Sequence, residues 1–593
     1  MSYAAPLADM HFVLEEAAGF DEIARLPGYE AASPDLVEAI LDEAGRLAGT
    51  VLAPLNQPAD RAGSLLENGV VRTPPGFREA YARYVEGGWN GLACDPEYGG
   101  QGLPLTLATS LGEMWNSACM SFALCPLLNL GAIELLQAHG SEEQKRHYLS
   151  KLVSGEWTGT MNLTEPQAGS DLGSLRTRAV RSGDYFRITG QKIFITYGDH
   201  DLTSNIIHMV LARTPDAPPG SRGISLFVVP KFLPDPGSAV GPRNDVRTLS
   251  LEHKLGIHAS PTCVLAYGED EGAIGWLVGE ENRGLECMFT TMNNARLGVG
   301  VQGVAIAERA YQQARDFACV RVQGRPPGVA PEADAPPIIN HPDVRRMLLW
   351  MRAATEAMRS LAYYAAATID RSRCHPEPAA RRAARDRADL LIPVVKAWCT
   401  DLGVAVASTG IQVHGGMGYV EETGAAQHLR DARIAPIYEG TNGIQANDLV
   451  GRKIARNGGE AASELIAEMR TTVELLGQAR SADLSAIARA LKEGLAALET
   501  ATSFLVDAEP ALAAAGAVPY LQLLGTVSAG WLITRLALAA ERRSAESRDA
   551  EAFLSAKRLT ARFYAEHFLA LAPGYLSGIV GGDTVLDFDP DQL

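Results

Sequence analysis

The sequence predicts a mainly α-helical protein with a β domain at its centre. Residues 36–157 and 281–457 repeat apolar side chains at helical spacing, whereas residues 158–280 contain short β-branched runs divided by Gly, Pro, Asp and Asn. Residues 458–593 are rich in Ala and Leu and return to helical spacing. We therefore expect an α-helical domain, a middle β domain or β-barrel, a four-helix bundle and an appended helical domain, preceded by an N-terminal arm at residues 1–35.

Local signals divide these regions. Ser33 or Asp35 can cap the first helix of the core. A glycine-rich stretch at residues 90–102 separates two helical groups, and Gly458 marks the start of the appended domain. The proline-rich stretch at residues 325–337 predicts a long exposed loop inside the second helical region.

Composition excludes several classes of protein. The chain has 593 residues and a formal net charge of −17, which disfavours binding to nucleic acid. Its first residues lack the basic segment of a secretion signal, and no uninterrupted apolar run approaches the roughly 20 residues that span a bilayer, so we expect no integral membrane segment. The eight cysteines are scattered without metal-ligand spacing, which predicts no metal site and reduced thiols in a cytoplasmic protein.

The most informative chemical signal is Glu439, in the segment Ile437-Tyr-Glu-Gly-Thr-Asn442. Burial in apolar surroundings raises the pKa of a carboxylate towards neutrality, where it can remove a weakly acidic C–H proton. The following glycine lets a ligand approach the backbone. By itself the pattern also fits a helix-terminal glutamate before a C-cap glycine.

Other segments in chain order strengthen the catalytic interpretation. They are Met161-Asn-Leu-Thr-Glu-Pro-Gln-Ala-Gly-Ser-Asp171, Lys192-Ile-Phe-Ile-Thr196, Arg321-Val-Gln-Gly324 and Gln412-Val-His-Gly-Gly416. Together with the Glu439 segment they resemble the acyl-CoA dehydrogenase family, and the resemblance covers residues 35–455. The N-terminal arm and the C-terminal domain resemble the larger bacterial branch of that family, which includes 3-(methylthio)propanoyl-CoA and fatty-acyl-CoA dehydrogenases.

The resemblance implies the acyl-CoA dehydrogenase fold and FAD-dependent α,β-dehydrogenation of an acyl-CoA to trans-2-enoyl-CoA, as in fatty-acid β-oxidation. Electrons would pass to electron-transfer flavoprotein, and the enzyme would be a homodimer. Glu439 would be the catalytic base, because the isovaleryl-CoA type carries its base where this chain has Ala295. The alternatives are a 3-(methylthio)propanoyl-CoA dehydrogenase, an acyl-CoA oxidase that passes electrons to O₂, and a non-catalytic flavin-binding protection protein.

The resemblance also implies which residues bind ligands. Thr164 would contact the pyrimidine side of the flavin, Thr196 its N5, and Phe194 would stand where many relatives place Trp. Arg321 would bind the FAD pyrophosphate of a neighbouring subunit. The full set of expected cofactor contacts is Met161, Leu163, Thr164, Gly169, Ser170, Phe194, Ile195, Thr196, Arg321, Gln323, Gln412, Gly415, Gly416, Thr441 and Asn442.

Four residues are expected to bind the substrate: Ser170, Asn293, Arg296 and Gly440. An arginine on an otherwise apolar helix face needs a partner. The alternative for Arg296 is therefore a buried ion pair with a purely structural role.

Overall fold

The computed structural model describes residues 3–234, 240–328, 330, 334–477, 481–546 and 550–592. Part of the predicted proline-rich loop, residues 329 and 331–333, lies outside the described residues. So do residues 478–480 and 547–549 of the predicted C-terminal domain.

The N-terminal region is helical. Its elements are α1 (Leu7–Val13), α2 (Phe20–Ile23), α3 (Pro34–Leu47), α4 (Asn56–Ala62), β1 (Leu65–Glu67), β2 (Val70–Arg72), α5 (Phe77–Glu86), α6 (Leu105–His139) and α7 (Glu142–Ser154). Ser33 caps α3, since its hydroxyl accepts a hydrogen bond from the Leu36 N–H at 3.4 Å. Of the two caps that the sequence suggested, Ser33 is the one used.

The middle region forms an eight-stranded sheet. Its strands are β3 (Thr158–Asn162), β4 (Arg178–Ser182), β5 (Tyr185–Thr196), β6 (Ile206–Ala212), β7 (Ser225–Pro230), β8 (Val246–Leu251), β9 (Thr262–Tyr267) and β10 (Ala273–Val278). The order is β3-β6-β7-β10-β5-β9-β8, β4 pairs with β5, and β3 and β6 are the parallel pair. β3 and β8 lie at the two ends of this order. Arg213, directly after β6, forms a parallel bridge with Arg178 of β4, so β4, β5, β10, β7 and β6 form a closed ring.

Helix α6 covers the free edge of β3. The Gly159 N–H donates to Asn129 Oδ1 at 2.9 Å, and a Cβ on Gly159 would lie 2.3 Å from the Cβ of Ala132. An edge strand exposes unpaired backbone groups. Here a helix side chain satisfies one of these groups at the edge of β3.

The second helical region contains the long helices. Its elements are α8 (Gly284–Val320), α9 (Pro342–Cys374), α10 (Pro378–His414), α11 (Ala425–Ala432) and α12 (Asn442–Asp448). The C-terminal region adds α13 (Glu460–Leu476), α14 (Ala482–Asp507), α15 (Pro510–Ala515), α16 (Ala517–Glu546), α17 (Glu551–His567), α18 (Ala572–Val580) and α19 (Asp583–Leu586). The predicted fold class, helical on both sides of a sheet with further helices at the end, is confirmed.

Buried apolar residues of the N-terminal arm, both helical regions and the C-terminal region form one continuous core. Trp531 of α16 packs edge-on against Tyr364 of α9, with ring centroids 5.3 Å apart. Six of the eight cysteines are buried, while Cys374 is half-buried and Cys319 is exposed. The C-terminal helices therefore belong to the hydrophobic interior of the whole protein.

Three helices are long and apolar enough to span a membrane by length and composition alone. They are Leu105–His139, Pro378–Tyr419 and Ala517–Glu546, and 83%, 78% and 89% of their most apolar windows are buried inside the protein. Scattered polar residues interrupt the apolar run in each helix, which is why a search for uninterrupted runs missed them. Their apolar surfaces contact other helices of the core.

A buried cluster of charges joins distant parts of the chain. Arg359 of α9 is 1% exposed, and its guanidinium pairs with Glu113 of α6 at 2.5 Å and Glu308 of α8 at 2.8 Å. It also pairs with Asp9 of the N-terminal arm. Lys557 of α17 is buried beside Asp9, so the cluster spans the arm, both helical regions and the C-terminal region. Each charge depends on its partners, because burial of an uncompensated charge is costly.

Replacing Arg359 by Met should destabilise the protein by about 3–5 kcal/mol, because Glu113 and Glu308 would lose their buried partner. Urea unfolding followed by circular dichroism measures this loss. Arg346→Met is the matched control, since Arg346 and Asp343 form an exposed pair at 2.8 Å whose loss should cost less than about 1 kcal/mol. Equal midpoints for the two variants would contradict a stabilising role of the cluster.

Candidate active site

A buried ion pair fixes the loop after β3, which carries the first group of predicted contacts. Glu165 Oε1 and Lys192 Nζ lie 2.8 Å apart. Lys192 also donates to the Leu163 carbonyl at 3.0 Å, and Thr177 donates its N–H and its hydroxyl to Glu165. Burial by itself would raise the pKa of Glu165, but Lys192 and these donors hold it at about 2. The ionised carboxylate therefore ties the loop to β5.

Predicted contacts on this loop differ in exposure. Gly169 and Ser170 are exposed, and a Cβ on Gly169 would meet nothing within 4 Å. Met161 and Leu163 are half-buried and pack against the core between the helices and the sheet. Thr164 is half-buried, and its carbonyl accepts a hydrogen bond from β5 at 2.9 Å. The open part of the loop is thus its glycine-serine turn.

A bulge in β5 turns Phe194 away from the sheet. The pairing of β5 with β9 shifts register between Lys192 and Ile195, and Phe194 has a φ of +59°. Its ring is 59% exposed, whereas Ile195 is buried in the sheet core and Thr196 is half-buried. Strained backbone that holds an aromatic ring outwards is common at functional sites. Ile195 can reach a ligand only through its backbone.

Helices α8 and α10 cross with their backbones in contact. A Cβ on Gly303 would lie 2.3 Å from the Cys399 carbonyl oxygen, and a Cβ on Gly403 would lie 2.7 Å from the Gly303 carbonyl oxygen. The helices run in the same direction, because their C-terminal ends also meet. Arg296 and Lys396 each stand seven residues before the crossing glycine of their own helix. The crossing therefore places Arg296 and Lys396 on the same side of the glycine contact, towards the N-terminal ends of both helices.

Glu439 lies near these cations, on the loop between α11 and α12. Its φ is +54° and that of Gly440 is +84°. The Asn442 N–H closes the loop by donating to the Pro436 carbonyl at 3.0 Å, and the Thr441 hydroxyl caps α12. A non-glycine residue in the left-handed region costs about 1–3 kcal/mol and persists where the surroundings fix it. The loop thus holds Glu439 in one strained conformation.

Burial raises the pKa of Glu439, and the nearby charges of Arg296 and Lys396 oppose that rise. The residue is only partly covered in the single chain, but the protein around its carboxylate excludes enough water to disfavour the charge. Among the described residues no group donates a hydrogen bond to this carboxylate. It is therefore available to accept a proton from a ligand.

Arg296 fits both interpretations that the sequence left open, a ligand contact and a structural ion pair. Its guanidinium pairs with Asp448 at 3.3 Å, which is the buried ion pair of the alternative interpretation. Its Nε, however, has no partner among the described residues. Asn293, one turn earlier, donates to Asp389 at 3.1 Å. A buried donor without a partner commonly indicates a missing ligand or water.

Five further predicted cofactor residues lie at the opposite end of the α8–α10 pair, whereas Thr441 and Asn442 lie beside Glu439. Arg321 ends α8 and lies 25 residues from Arg296, which corresponds to about 37 Å along a helix axis. A Cβ on Gly415 or Gly416 would meet nothing within 4 Å. The structure therefore does not bring this end to Glu439 of the same chain. Its exposed residues are Arg321, Gln323, Gln412, Gly415 and Gly416.

A cavity of about 630 Å³ opens between α6 and α8. Its lining is mainly apolar and includes Trp89, Leu127, Leu130 and Ala295. Ala295 directly precedes the buried arginine, so the cavity begins near the end of the pair that carries the two cations. Gly298 allows α8 to approach Leu127 of α6 in the cavity wall, since a Cβ there would lie 2.6 Å from Leu127 Cδ1. A helix-lined apolar space of this size suits a hydrocarbon chain.

Three buried charged residues of the site were not predicted from the sequence. Glu165 and Lys192 stand inside the quoted motifs, and a lysine within the β-branched run of β5 was a signal that a carboxylate partner is needed. Lys396 stands in the run Leu390-Leu-Ile-Pro-Val-Val-Lys-Ala-Trp-Cys399, where a single cation on an apolar helix needs an explanation.

The fold thus contains a desolvated carboxylate with two cations nearby and a helix-lined cavity that suits an apolar chain. The domain models of one family match most of the chain. They are described as acyl-CoA dehydrogenase N-terminal domain (residues 35–156), middle domain (residues 160–268) and C-terminal domain (residues 282–454). A model described as acetyl-CoA dehydrogenase C-terminal like matches residues 465–589. The chain belongs to the acyl-CoA dehydrogenase family.

Individual relatives agree with this membership. A 3-methylmercaptopropionyl-CoA dehydrogenase of Ruegeria pomeroyi is 49% identical over 591 residues, covering 99% of each chain. The solved structure of butyryl-CoA dehydrogenase from Megasphaera elsdenii is 26% identical with a TM-score of 0.57, covering 71% of this chain and 98% of that one. An acyl-CoA dehydrogenase from Bacillus anthracis complexed with FAD shares the fold, with 21% identity, a TM-score of 0.72 and coverage of 98% and 92%.

Proposed function

We propose that the protein oxidises an acyl-CoA thioester to the trans-2-enoyl-CoA, with Glu439 as the base that takes the α-proton. The observation that carries this proposal is the state of Glu439, which is strained, desolvated and without a hydrogen-bond donor. The α-proton is too weakly acidic for a carboxylate unless the thioester carbonyl is polarised. The Glu439 N–H makes no backbone hydrogen bond among the described residues, and we assign it to that carbonyl.

FAD is the cofactor that we infer, and the residues present fit it. The open turns at Gly169 and Gly415 and the exposed ring of Phe194 suit a large planar ligand with phosphate groups. When bound, FAD supplies the acceptor for the hydride that leaves the β-carbon. The residues proposed to hold it are those named from the sequence.

Two of these residues have a second task in the chain itself. The Thr441 hydroxyl caps α12, and the Asn442 amide binds side chains and a carbonyl of α10. We therefore propose that their side chains position the loop that carries Glu439, residues 433–441, which we call the base loop. Any contact with FAD is left to the remaining atoms of the two residues. Ser170, Asn293, Arg296 and Gly440 stay as the proposed substrate contacts.

We propose a homodimer in which each FAD is shared between subunits. Arg321 and the Gln412–Gly416 segment lie too far from Glu439 to serve the same ligand within one chain. Their neighbourhood is also an exposed apolar patch, with Val320 75% and Tyr419 89% exposed. Exposed apolar patches of this kind commonly mark protein interfaces. A second copy of the chain would cover the patch and supply the missing half of the site.

Electron-transfer flavoprotein is the proposed electron acceptor, and fatty-acid β-oxidation in the cytoplasm is the proposed setting. Buried, unpaired cysteines are consistent with a reducing compartment. An acyl-CoA oxidase would instead reduce O₂, so the purified enzyme should form no stoichiometric peroxide during turnover. A protection protein without catalysis would fail to reduce an artificial electron acceptor with any acyl-CoA.

The preferred acyl group can be tested with a pair of similar shape. Pentanoyl-CoA and 3-(methylthio)propanoyl-CoA differ by a CH₂ replaced by sulfur. Because the cavity walls are mainly apolar, we expect kcat/KM values within about tenfold of each other, and turnover of longer linear chains as well. Steady-state assays with an artificial acceptor, using chains of four to sixteen carbons, measure this. A preference for the thioether beyond a hundredfold would contradict a general hydrocarbon cavity.

Arg321→Ala should release FAD, because the pyrophosphate would lose a charge-assisted contact. The measurement is the ratio of flavin to protein absorbance after gel filtration, combined with the mass from light scattering. Arg325→Ala, four residues away, is the matched control and should retain more FAD than Arg321→Ala. A wild-type monomer with full FAD content would refute the shared site.

Glu439→Gln should lower the rate of dehydrogenation by at least about 10⁴, at the top of the range for loss of a general base. The amide is nearly isosteric but cannot accept the α-proton, and Ala295 offers no replacement. FAD content and acyl-CoA binding should be retained. Anaerobic addition of substrate should no longer bleach the flavin absorbance. Bleaching at close to the wild-type rate would show that another group is the base.

A further inference from the structure

A fully buried lysine holds the base loop against α10. Lys396 is 0% exposed, and its Nζ donates to Asn442 Oδ1 at 2.9 Å. Asn442 comes three residues after Glu439. Among the described residues this is the one hydrogen bond of the ammonium group, although the group carries three donors. A buried cation with so few partners calls for an explanation beyond packing.

The other half of the Asn442 amide is also held by α10. Its Nδ2 donates to the Ala397 carbonyl at 3.1 Å, to Thr400 Oγ1 at 3.0 Å and to Asp401 Oδ1 at 2.7 Å. The end of the base loop is thus fastened at several points to one turn of a long helix. The strained backbone of Glu439 is held immediately before this fastening.

The network reaches the C-terminal region through Asp401. Its second oxygen, Oδ2, accepts a hydrogen bond from Gln522 of α16 at 3.0 Å. The same helix contacts α10 closely, since a Cβ on Gly525 would lie 2.5 Å from the indole of Trp398. Hydrogen bonds therefore connect the C-terminal region with the loop that carries Glu439.

We propose that Lys396 is a positioning residue for Glu439, which fixes the base loop through Asn442 and favours the ionised carboxylate through its charge. The proposal rests on the proposed function of Glu439 as the base. Gln522 supports the same network from the C-terminal region, which gives that region a part in dehydrogenation.

The charges around Glu439 come from three helices. Arg296 of α8 and Lys396 of α10 are the cations that favour its ionised form. Asp448 of α12 partly neutralises Arg296, and Asp401 of α10 lies in the field of Lys396. Asp448 is itself shared, because Arg452 Nε lies 2.6 Å from its other oxygen. Arg296 has the larger effect on Glu439 and Lys396 the next largest, so the loss of Lys396 should raise the pKa of Glu439.

The sign of the effect follows from the charge. Burial lowers the pKa of Lys396 to about 8, so the ammonium is mostly protonated near neutral pH. Removing this positive charge disfavours the ionised form of Glu439 and raises the pKa of the base further. The rising, acidic limb of the kcat/KM profile, which requires the ionised base, should then move to higher pH.

The test compares pH profiles of the FAD-loaded enzyme, with butyryl-CoA as substrate and an artificial electron acceptor. Lys396→Met should move the acidic limb up by about one pH unit, which is a loss of about tenfold in kcat/KM on that limb. Lys396→Arg keeps the charge and should leave the limb in place. Lys492→Met, which removes a charge from the exposed face of α14, is the matched control and should behave as wild type.

Lys396→Gln separates the effect of the charge from that of the hydrogen bond, and it replaces Lys396→Met if that variant does not fold. The glutamine can still donate to Asn442, but because it carries no charge it should show the same shift of the acidic limb. An unmoved limb in a folded, FAD-containing Lys396→Met or Lys396→Gln enzyme would overturn the proposal. Absence of turnover in the wild type would instead refute the proposed function.

Gln522→Ala tests the contribution of the C-terminal region. It should lower kcat severalfold without moving the acidic limb, because the charge of Lys396 remains. Unchanged kcat would overturn the part assigned to Gln522.

Discussion

The contact between the backbones of α8 and α10 determines where every charged group of the catalytic end can lie. Two glycines allow the helices to approach without side chains between them, and any Cβ on Gly303 would collide with the backbone of α10. Since an α-helix is stiff over several turns, fixing this one point fixes residues two turns away on both helices. Arg296 and Lys396 are placed in this way, and the loop with Glu439 is then fastened to the second of them.

Two carboxylates of the site show how one chemical group takes opposite roles. Glu165 is surrounded by donors and by a lysine in direct contact, so it stays ionised and holds the loop after β3 to the sheet. Glu439 has no hydrogen-bond donor among the residues that the structure describes, and its two cations form no ion pair with it there. The protein already provides the hydrogen-bond donors for Glu165, so this carboxylate is not available to react. The carboxylate of Glu439 can still accept a proton from a ligand, as the proposed base requires.

The order of helical and β regions could be predicted because it depends on local patterns, and Glu439 could be proposed as the base on the same grounds. Helical periodicity and β-branched runs can be recognised within short stretches of sequence, and Glu439 stands in a distinctive segment. The protection of the β3 edge was not predictable, since it depends on Asn129 reaching that strand from α6. The link from Gln522 to Asn442 joins residues 80 positions apart, and the bulge at Phe194 depends on the pairing of β5 with β9. Such contacts are formed by tertiary packing, which a short stretch of sequence does not reveal.

The buried cysteines bear on the chemical durability of the protein. Burial raises the pKa of Cys94, Cys119 and Cys263 to about 12, well above the usual value near 8.5. Peroxide attacks the thiolate, so at neutral pH these side chains present far less of the reactive form than a free cysteine. Burial thereby protects the interior of the protein from sulfenic acid formation. Cys319 is exposed, but it stands beside the apolar patch that a second subunit would shield.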